Sequence, residues 1–349
     1  MKRFLNGGML VTSNPHIKTP VDTTEIMFCV ILALVPSLSA STVIFGPRAL
    51  ILAAVCIAAS VLFEWAYEKI MRKPNTISDL SAVVTGLLLA MNLPVTFPYW
   101  MAVIGCFIAI IIVKQLFGGL GQNFANPAIT ARIVLFISFA SQMGVWLDPS
   151  KARLLTVPKD VDAITGATPL GIFNMTSGSI ADKTAAAQDS FSNMRMFLGS
   201  TGGSMGEVCA VALLIGGIFL IVMRIISPAT PLAFLGTIAV ISLIAGTDPV
   251  WQICAGGAMI GAFFMATDYA TTPTTTGGKI VFGIGCGLIT MIIRLFGSYP
   301  EGVSFSILLM DLLTPHIDHI FEKVLYGNPA KERKKAEKAA AKAAKEGAE

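Results

Sequence analysis

Apolar stretches long enough to cross a lipid bilayer alternate with short polar segments over most of the chain. A membrane-spanning helix needs roughly 20 largely apolar residues, or somewhat fewer. About ten stretches fit this rule. They run near 26–45, 48–67, 79–93, 98–114, 128–144, 206–225, 231–246, 250–266, 278–295 and 303–321. The pattern predicts an all-α polytopic membrane protein with about ten transmembrane helices.

Composition agrees with a membrane protein. Hydrophobic residues make up 54% of the chain and charged residues 13%, with a mean hydropathy of +0.73, whereas soluble domains are about a quarter charged. The net charge of +4 does not indicate nucleic-acid binding, because the basic residues crowd into short loops and the C-terminal tail. The six cysteines all lie in apolar runs without a Cys-x-x-Cys pair. We interpret them as buried small residues and expect neither a metal site nor a catalytic group from this chain alone.

The basic residues of the short connecting segments predict the orientation. Lys69, Arg72, Lys114 and Arg224 fall on one side, and the short loops of the other side hold little beyond Arg48. The positive-inside rule therefore puts both termini in the cytoplasm, at the cell membrane. The predicted divisions are a cytoplasmic N-terminal segment (1–25), a first five-span repeat (26–144), an extracytoplasmic loop (145–205), a second five-span repeat (206–325) and a charged cytoplasmic tail (326–349).

Two pairs of segments indicate an internal repeat. "QLFGGLGQNFANPAI" (115–129) is similar to "RLFGSYPEGVSFSIL" (294–308), and "GLLLAMNLPVTFP" (86–98) is similar to "GAFFMATDYATTP" (261–273). The members of each pair are five spans apart. Because five is odd, the halves would enter the membrane in opposite orientations. We therefore expect two inverted five-helix repeats, with a site built from interrupted helices near the midplane.

The polar loop contains a heptapeptide of small and hydroxyl-bearing residues, Asp162-Ala-Ile-Thr165-Gly166-Ala167-Thr168. Gly166 and Ala167 have almost no side chain, so the cleft of another enzyme can close around this strand. Pro169 favours an extended backbone at Thr168, which would present the hydroxyl outward. Thr168 is thus a candidate modification acceptor, and Asp162 a contact for the modifying enzyme. The alternative is an ordinary Thr/Gly/Pro loop.

Polar residues also occur at predicted helix breaks. Asn123 and Asn126 follow a glycine-rich stretch, and Asp268 follows the eighth span. Such residues either bind a ligand or satisfy backbone groups freed at the break. Arg132 could pair with Asp268, contact a ligand or extend to the interface. Glu64, next to an aromatic residue near a span end, is predicted to be interfacial.

The heptapeptide resembles the recognition sequence of flavin transferases, which move FMN from FAD onto a threonine hydroxyl. Together with "QLFGGLGQNFANPA", "FMATDYATTP" and "RLFGSYPEGVSFSILLMDLLTPHID", it is similar to one family. That family contains the D subunit of the Rnf ferredoxin:NAD oxidoreductase complex and the B subunit of the sodium-translocating NADH:quinone reductase. The resemblance covers nearly all of 18–325, and the short segment before the first span favours the Rnf branch. Thr165 stands where serine is common, and Asp311 where asparagine is more usual.

The resemblance implies FMN linked to Thr168, with Asp162, Thr165, Gly166 and Ala167 recognised by the transferase. It also implies a second, riboflavin-like, non-covalent flavin, which we assign to Asn123, Asn126 and Asp268. The chain would serve as one component of the oxidoreductase, passing electrons from ferredoxin towards NAD while sodium ions or protons cross the bilayer, and would not be active alone. The rival interpretation is an inverted-repeat transporter or channel without a redox role, for which the heptapeptide would have no use.

Overall fold

The computed structural model describes residues 3–5, 9–11, 22–147, 168–199, 201–297 and 302–325. Over these residues the chain is almost entirely helical. The helices are α1 (Thr23–Phe45), α2 (Pro47–Ile70), α3 (Ser81–Met91), α4 (Tyr99–Phe107), α5 (Pro127–Ser138), α6 (Ala140–Met143), α7 (Pro169–Met175), α8 (Ile180–Ser190), α9 (Asn193–Leu198), α10 (Ala210–Val222), α11 (Ala229–Ala245), α12 (Pro249–Cys254), α13 (Ala258–Ile260), α14 (Thr276–Phe296) and α15 (Val303–Leu325). A short 3-10 turn, Ile77–Asp79, precedes α3.

A small β-hairpin near the N-terminus accompanies the helices. Strands β1 (Arg3–Leu5) and β2 (Met9–Val11) pair antiparallel, with Arg3 opposite Val11. The intervening sequence Asn-Gly-Gly is a turn signal between two short runs that contain apolar residues. The hydropathy pattern alone overlooked this signal because the strands are much shorter than a membrane span.

Helices occupy all ten of the predicted apolar stretches. By length and composition, α1, α2 and α14 can each cross a membrane, while α3, α4 with its continuation, α5, α10 and α11 are shorter apolar helices. The prediction of a helical membrane protein is therefore confirmed in its coarse form. The full set of ten spans and their inverted arrangement stay predictions.

Two π-helical segments precede the predicted helix breaks. Helix α4 continues as a π-helix over Ile108–Gln115, and α13 continues as a π-helix over Gly261–Met265. Such wider turns are often found at functional sites. Beyond the first, Gly119 and Gly121 have φ values of 99° and 85°, a left-handed backbone that glycine adopts without the steric cost of a side chain.

The two predicted halves have corresponding neighbours. Helix α2 packs against α3 and α4, and helix α11 packs against α12 and α14. Helices α1 and α10, the first of each half, pack against each other and join the halves. One large apolar core runs through both halves. This arrangement agrees with an internal repeat, although it does not fix how either half is oriented in a membrane.

The predicted loop 145–205 includes a small helical unit. Helices α7, α8 and α9 surround a second apolar cluster in which Leu170, Phe173 and Met196 contact Trp251 of α12 or its buried neighbours. The ring centroids of Phe173 and Trp251 are 6.1 Å apart. Asp248, the N-cap of α12, accepts hydrogen bonds from the side chains of two residues in or beside α8 and α9, at 2.9 and 2.7 Å. The unit is therefore fastened to the membrane helices at the start of α12.

Labelling will test the predicted orientation. Met175 is 85% exposed and ends α7, so Met175→Cys should react with a membrane-impermeant thiol reagent in intact cells. Ser179 is a poorer position because it forms a capping box with Asp182, whose pKa is lowered chiefly by the Ser179 hydroxyl. Ala339→Cys, in the predicted cytoplasmic tail, should react only after the cells are permeabilised.

The parent chain with its native cysteines supplies the background for both variants. Labelling of Ala339→Cys but not Met175→Cys in intact cells would reverse the topology. It would also move Thr168 to the cytoplasmic side.

Candidate functional site

Thr168 lies at the start of α7, beside a small pocket. Its φ and ψ of −81° and 154° are extended, as the following proline predicts. Its side-chain oxygen accepts a hydrogen bond of 3.0 Å from the backbone N–H of Gly171, so the hydroxyl caps α7 instead of pointing straight outward. The residue is partly exposed. The hydroxyl proton remains available for donation or for loss on modification, because the cap uses the oxygen only as an acceptor.

The pocket beside Thr168 has a volume of about 360 Å³, measured to its open mouth. Its lining residues are Thr168, Pro169, Leu170, Met196, Thr201, Gly202, Gly203, Glu207, Val208, Cys254, Ala255 and Gly256. Glu207 is the one charged residue in this described lining. The other members of the heptapeptide, Asp162, Thr165, Gly166 and Ala167, lie outside the described residues, so their assignment stays a prediction.

Glu207 forms a buried ion pair with Arg132 beneath the pocket. The guanidinium Nη2 of Arg132 lies 3.2 Å from Oε1 of Glu207, and the two side chains are only 5% and 8% exposed. Through Nη1, Arg132 also donates to Oδ1 of Asn92 at 3.1 Å and to Oγ of Ser304 at 2.9 Å. The partner of Arg132 is thus Glu207, not Asp268, and the side chain does not extend to the interface. Glu207 was not singled out from the sequence; it lies at the start of the predicted sixth span (206–225), shortly before α10 begins at Ala210.

A second, larger cavity brings together the three residues at the predicted helix breaks. Asn123, Asn126 and Asp268 all line one cleft of about 720 Å³, measured to its open mouth. The rest of the lining is mostly apolar and comes from both halves of the chain: Ile26, Met27, Val30, Ser81, Val84, Thr85, Leu88, Lys114, Leu120, Pro127, Ala128, Leu220, Ile225, Ile226, Phe263, Phe264, Thr267 and Tyr269. The sequence therefore predicted the convergence of these three side chains correctly.

The three side chains differ in how far they are already engaged. Oδ1 of Asn126 caps α5 by accepting from the N–H groups of Ala128 and Ile129 at 3.1 and 3.4 Å. Asp268 accepts from the N–H of Ala270 at 3.4 Å. The capping role weighed from the sequence is therefore present at both. Oδ1 of Asn123, in contrast, is buried with no hydrogen-bond partner among the described residues.

A buried lysine adds a positive charge to the cleft. Nζ of Lys114 donates to Oε1 of Glu64 and to Oγ of Ser81, both at 2.6 Å, and Nε2 of Gln115 donates to the same Glu64 oxygen at 2.7 Å. The side chains of Lys114 and Glu64 are 2% and 0% exposed. Lys114 is the only cationic residue of the described cleft lining and Asp268 the only anionic one.

This network corrects two predictions. Glu64 is fully buried, because it faces the π-helical end of α4 while the neighbouring Trp65 is 47% exposed. Lys114 is not a loop charge that reports topology. An ionisable residue inside the run "IIVKQLF" is itself a signal of function, and it was available from the sequence.

The cleft has the character of a site for a small organic ligand. Ligand pockets commonly have apolar walls and a few polar groups that fix the orientation of the ligand. Here an ammonium, a carboxylate and amides interrupt otherwise apolar walls. These groups provide hydrogen-bond donors and acceptors for a flat ring system with a polar edge.

Comparison with known sequences decides the family. The profile of the NQR2, RnfD, RnfE family matches residues 10–327. The chain belongs to this family. It is 46% identical over 321 residues, 91% of its length, to the D subunit of the Na⁺-translocating ferredoxin:NAD⁺ oxidoreductase complex of Acetobacterium woodii, and the match covers 95% of that protein.

Other relatives give the same result. The chain is 42% identical to the D subunit of the proton-translocating ferredoxin:NAD⁺ oxidoreductase complex of Clostridium ljungdahlii, over 91% of this chain and 96% of that protein. It is 34% identical to the D subunit of the ion-translocating oxidoreductase complex of Halorhodospira halophila, over 91% and 95% of the two chains. Membership of this family, together with the apolar helices, makes the chain a membrane protein.

The Lys114–Glu64 pair should be important for stability. Lys114→Met leaves a buried carboxylate without its counter-charge, which typically costs about 3–5 kcal/mol. Lys114→Met combined with Glu64→Gln removes both charges and should recover most of that loss. Lys69→Met is the control, because Lys69 lies over the ring of Trp65 outside the cleft. Thermal unfolding in detergent measures each variant, and equal unfolding temperatures for Lys114→Met and Lys69→Met would contradict the prediction.

Proposed function

We propose that this chain is the flavin-carrying membrane component of an ion-translocating complex that passes electrons from ferredoxin towards NAD. The observation that carries this proposal is the heptapeptide ending at Thr168, in a chain that is 46% identical over 91% of its length to the D subunit of such a complex. Other subunits of the complex, a flavin transferase and the bilayer are the implied partners. Relatives are named for sodium and for proton transport, so the ion is either Na⁺ or H⁺.

The surroundings of Thr168 suit a tethered cofactor. Its side-chain oxygen would be esterified by the FMN phosphate: the bond to phosphorus forms as AMP leaves FAD, and the hydroxyl proton is lost. The adjacent pocket provides space beside the attachment point. When bound, a flavin supplies the ability to accept one or two electrons, and the protein contributes position and electrostatics.

The cleft suits a second, non-covalent flavin. The strongest sign is the buried Oδ1 of Asn123, which has no hydrogen-bond partner in the part of the chain that the structure describes, because a buried polar atom without a partner is costly. Asp268 adds an acceptor, and Lys114 a donor whose third N–H is not used by Glu64 or Ser81. Asn126 lines the cleft and caps α5. These residues would hold and orient the ring while the apolar walls exclude water.

A mass measurement tests the covalent site. The peptide that carries Thr168 should show one FMN added with loss of water when the chain is produced in cells containing the transferase. Thr168→Val should lose the adduct and the cap of α7, at a cost of about 1 kcal/mol. Thr168→Ser should retain part of the modification because it keeps a hydroxyl.

Thr176→Ala is the matched control, since Thr176 is at the other end of α7 and its hydroxyl donates to the carbonyl of Ile172. It should keep the full adduct. A wild-type peptide of unmodified mass would refute the covalent site and favour the transporter alternative.

Extraction tests the second flavin. Acid precipitation of the purified complex releases non-covalent flavin and leaves the Thr168 adduct in the pellet. Asn123→Ala and Asp268→Ala should each weaken binding about ten- to a hundredfold, the effect of losing one hydrogen bond of roughly 1–3 kcal/mol. Asn75→Ala changes an asparagine of the α2–α3 connection, where it accepts from the N–H of Ile77, and should have no effect.

If both cleft variants retain all the extractable flavin but lose ion transport, the cleft belongs to the ion. If neither property changes, these side chains serve only as caps and structural polar groups.

A further inference from the structure

Glu207, the charged residue in the described lining of the Thr168 pocket, belongs to a hydrogen-bonded network that extends beyond its ion pair with Arg132. Among the described residues, Arg132 donates to acceptors on three different segments, Asn92 after α3, Ser304 of α15 and Glu207 before α10. The backbone of Arg132 is in addition part of helix α5. The guanidinium is therefore fixed in position, and so is the carboxylate that it contacts.

Glu207 is fixed from its own side as well. The segment before α10 is bonded to the end of α3, because Gly206 donates to the carbonyl of Met91 at 2.6 Å and Met205 donates to that of Leu93 at 3.2 Å. Gly257 leaves room for the carboxylate: a Cβ at this position would stand 2.7 Å from Oε1 of Glu207. The side chain is thus held at the edge of the pocket.

The carboxylate of Glu207 has acceptor capacity to spare. An ionised carboxylate offers about four lone-pair positions. Arg132 uses one on Oε1, and the N–H of Ser204 approaches Oε2 at 3.5 Å. Among the described residues, no other hydrogen bond to this carboxylate is formed, and Glu207 lines the pocket that it shares with Thr168.

We propose that Glu207 accepts the imide N–H of the flavin ring carried on Thr168, and that Arg132 positions this carboxylate and balances its charge. The inference rests on the proposed function, because it requires the Thr168 adduct. It goes further by assigning the ring to the pocket above Glu207 and by naming a specific partner for its polar edge. Arg132 acts only through Glu207 and is a positioning residue.

The two charges should shift the midpoint potential of this flavin in opposite directions. Interactions between charges are stronger in a buried site than in water. A nearby negative charge opposes the addition of electrons, and a nearby positive charge favours it. Glu207→Gln should therefore make the midpoint potential less negative, and Arg132→Gln should make it more negative. The double variant should lie between them, near the wild-type value.

Spectroelectrochemical titration of the purified complex measures these shifts. The signal of the covalent flavin is obtained as the difference between each Glu207 or Arg132 variant and the same variant carrying Thr168→Ala. Mass spectrometry is done on the same samples, so a missing adduct, which refutes the proposed function, is recognised separately from an unshifted potential. Glu68→Gln is the matched control, because it neutralises another buried carboxylate. Glu68 lies near the end of α2 and accepts a hydrogen bond from the backbone N–H of Thr76. This variant should leave the midpoint potential unchanged.

Arg132→Lys keeps the positive charge but has fewer hydrogen-bond donors. If Arg132 acts by balancing charge, the midpoint potential of the flavin in this variant should stay close to the wild-type value. Opposite shifts in Glu207→Gln and Arg132→Gln support the proposal. Shifts of the same sign, or none with the adduct present, would overturn it, because a purely structural pair disturbs the pocket in the same way whichever partner is removed. If Glu207→Gln cannot be purified, Arg132→Gln and Arg132→Lys decide the question: a more negative midpoint potential in Arg132→Gln alone supports the proposal, and equal potentials in the two variants would overturn it.

Discussion

Both candidate sites depend on two buried hydrogen bonds that connect α5 with α15. These bonds lie in a largely apolar bundle. The backbone N–H of Asn126 donates to Oδ2 of Asp311 at 2.9 Å, and Arg132 donates to Oγ of Ser304 at 2.9 Å. In apolar surroundings a polar group without a partner is costly, so these helices cannot separate without exposing or abandoning such groups. The last helices of the two predicted repeats are therefore held against each other, and α5 has a defined position between the cavities.

Helix α5 contributes to both sites. Its N-cap, Asn126, lines the cleft, and Arg132 contacts Glu207 at the edge of the Thr168 pocket. The two residues are six positions apart, which corresponds to about 9 Å along a helix. The same helix therefore positions one side chain at each of the two sites.

Much of this arrangement could be predicted because it depends on patterns that the sequence states directly. Hydrophobic stretches located the helices, and polar residues at glycine-rich breaks located Asn123, Asn126 and Asp268, which the structure brings into one cleft. Pairings across the bundle could not be predicted, because they join residues far apart in sequence. Lys114 is 50 positions from Glu64 and Arg132 is 75 positions from Glu207. Hydropathy treats a buried, paired charge and an exposed one alike, so Glu64 and Lys114 were assigned to the surface and Glu207 was overlooked.

The alignment of the two repeats gives a further reason for the two polar connections. The register that places Gln115 opposite Arg294 also places Arg132 opposite Asp311, since both pairs are separated by 179 positions (294 − 115 and 311 − 132). In this register each predicted fifth helix carries an ionisable residue at the same place, and each of these side chains is hydrogen-bonded to a group near the start of the other fifth helix. One residue is basic and the other is acidic. Arg132 is directed to the network at the Thr168 pocket, while Asp311 holds Asn126 at the cleft, so corresponding positions of the predicted repeats contribute different groups to the two sites.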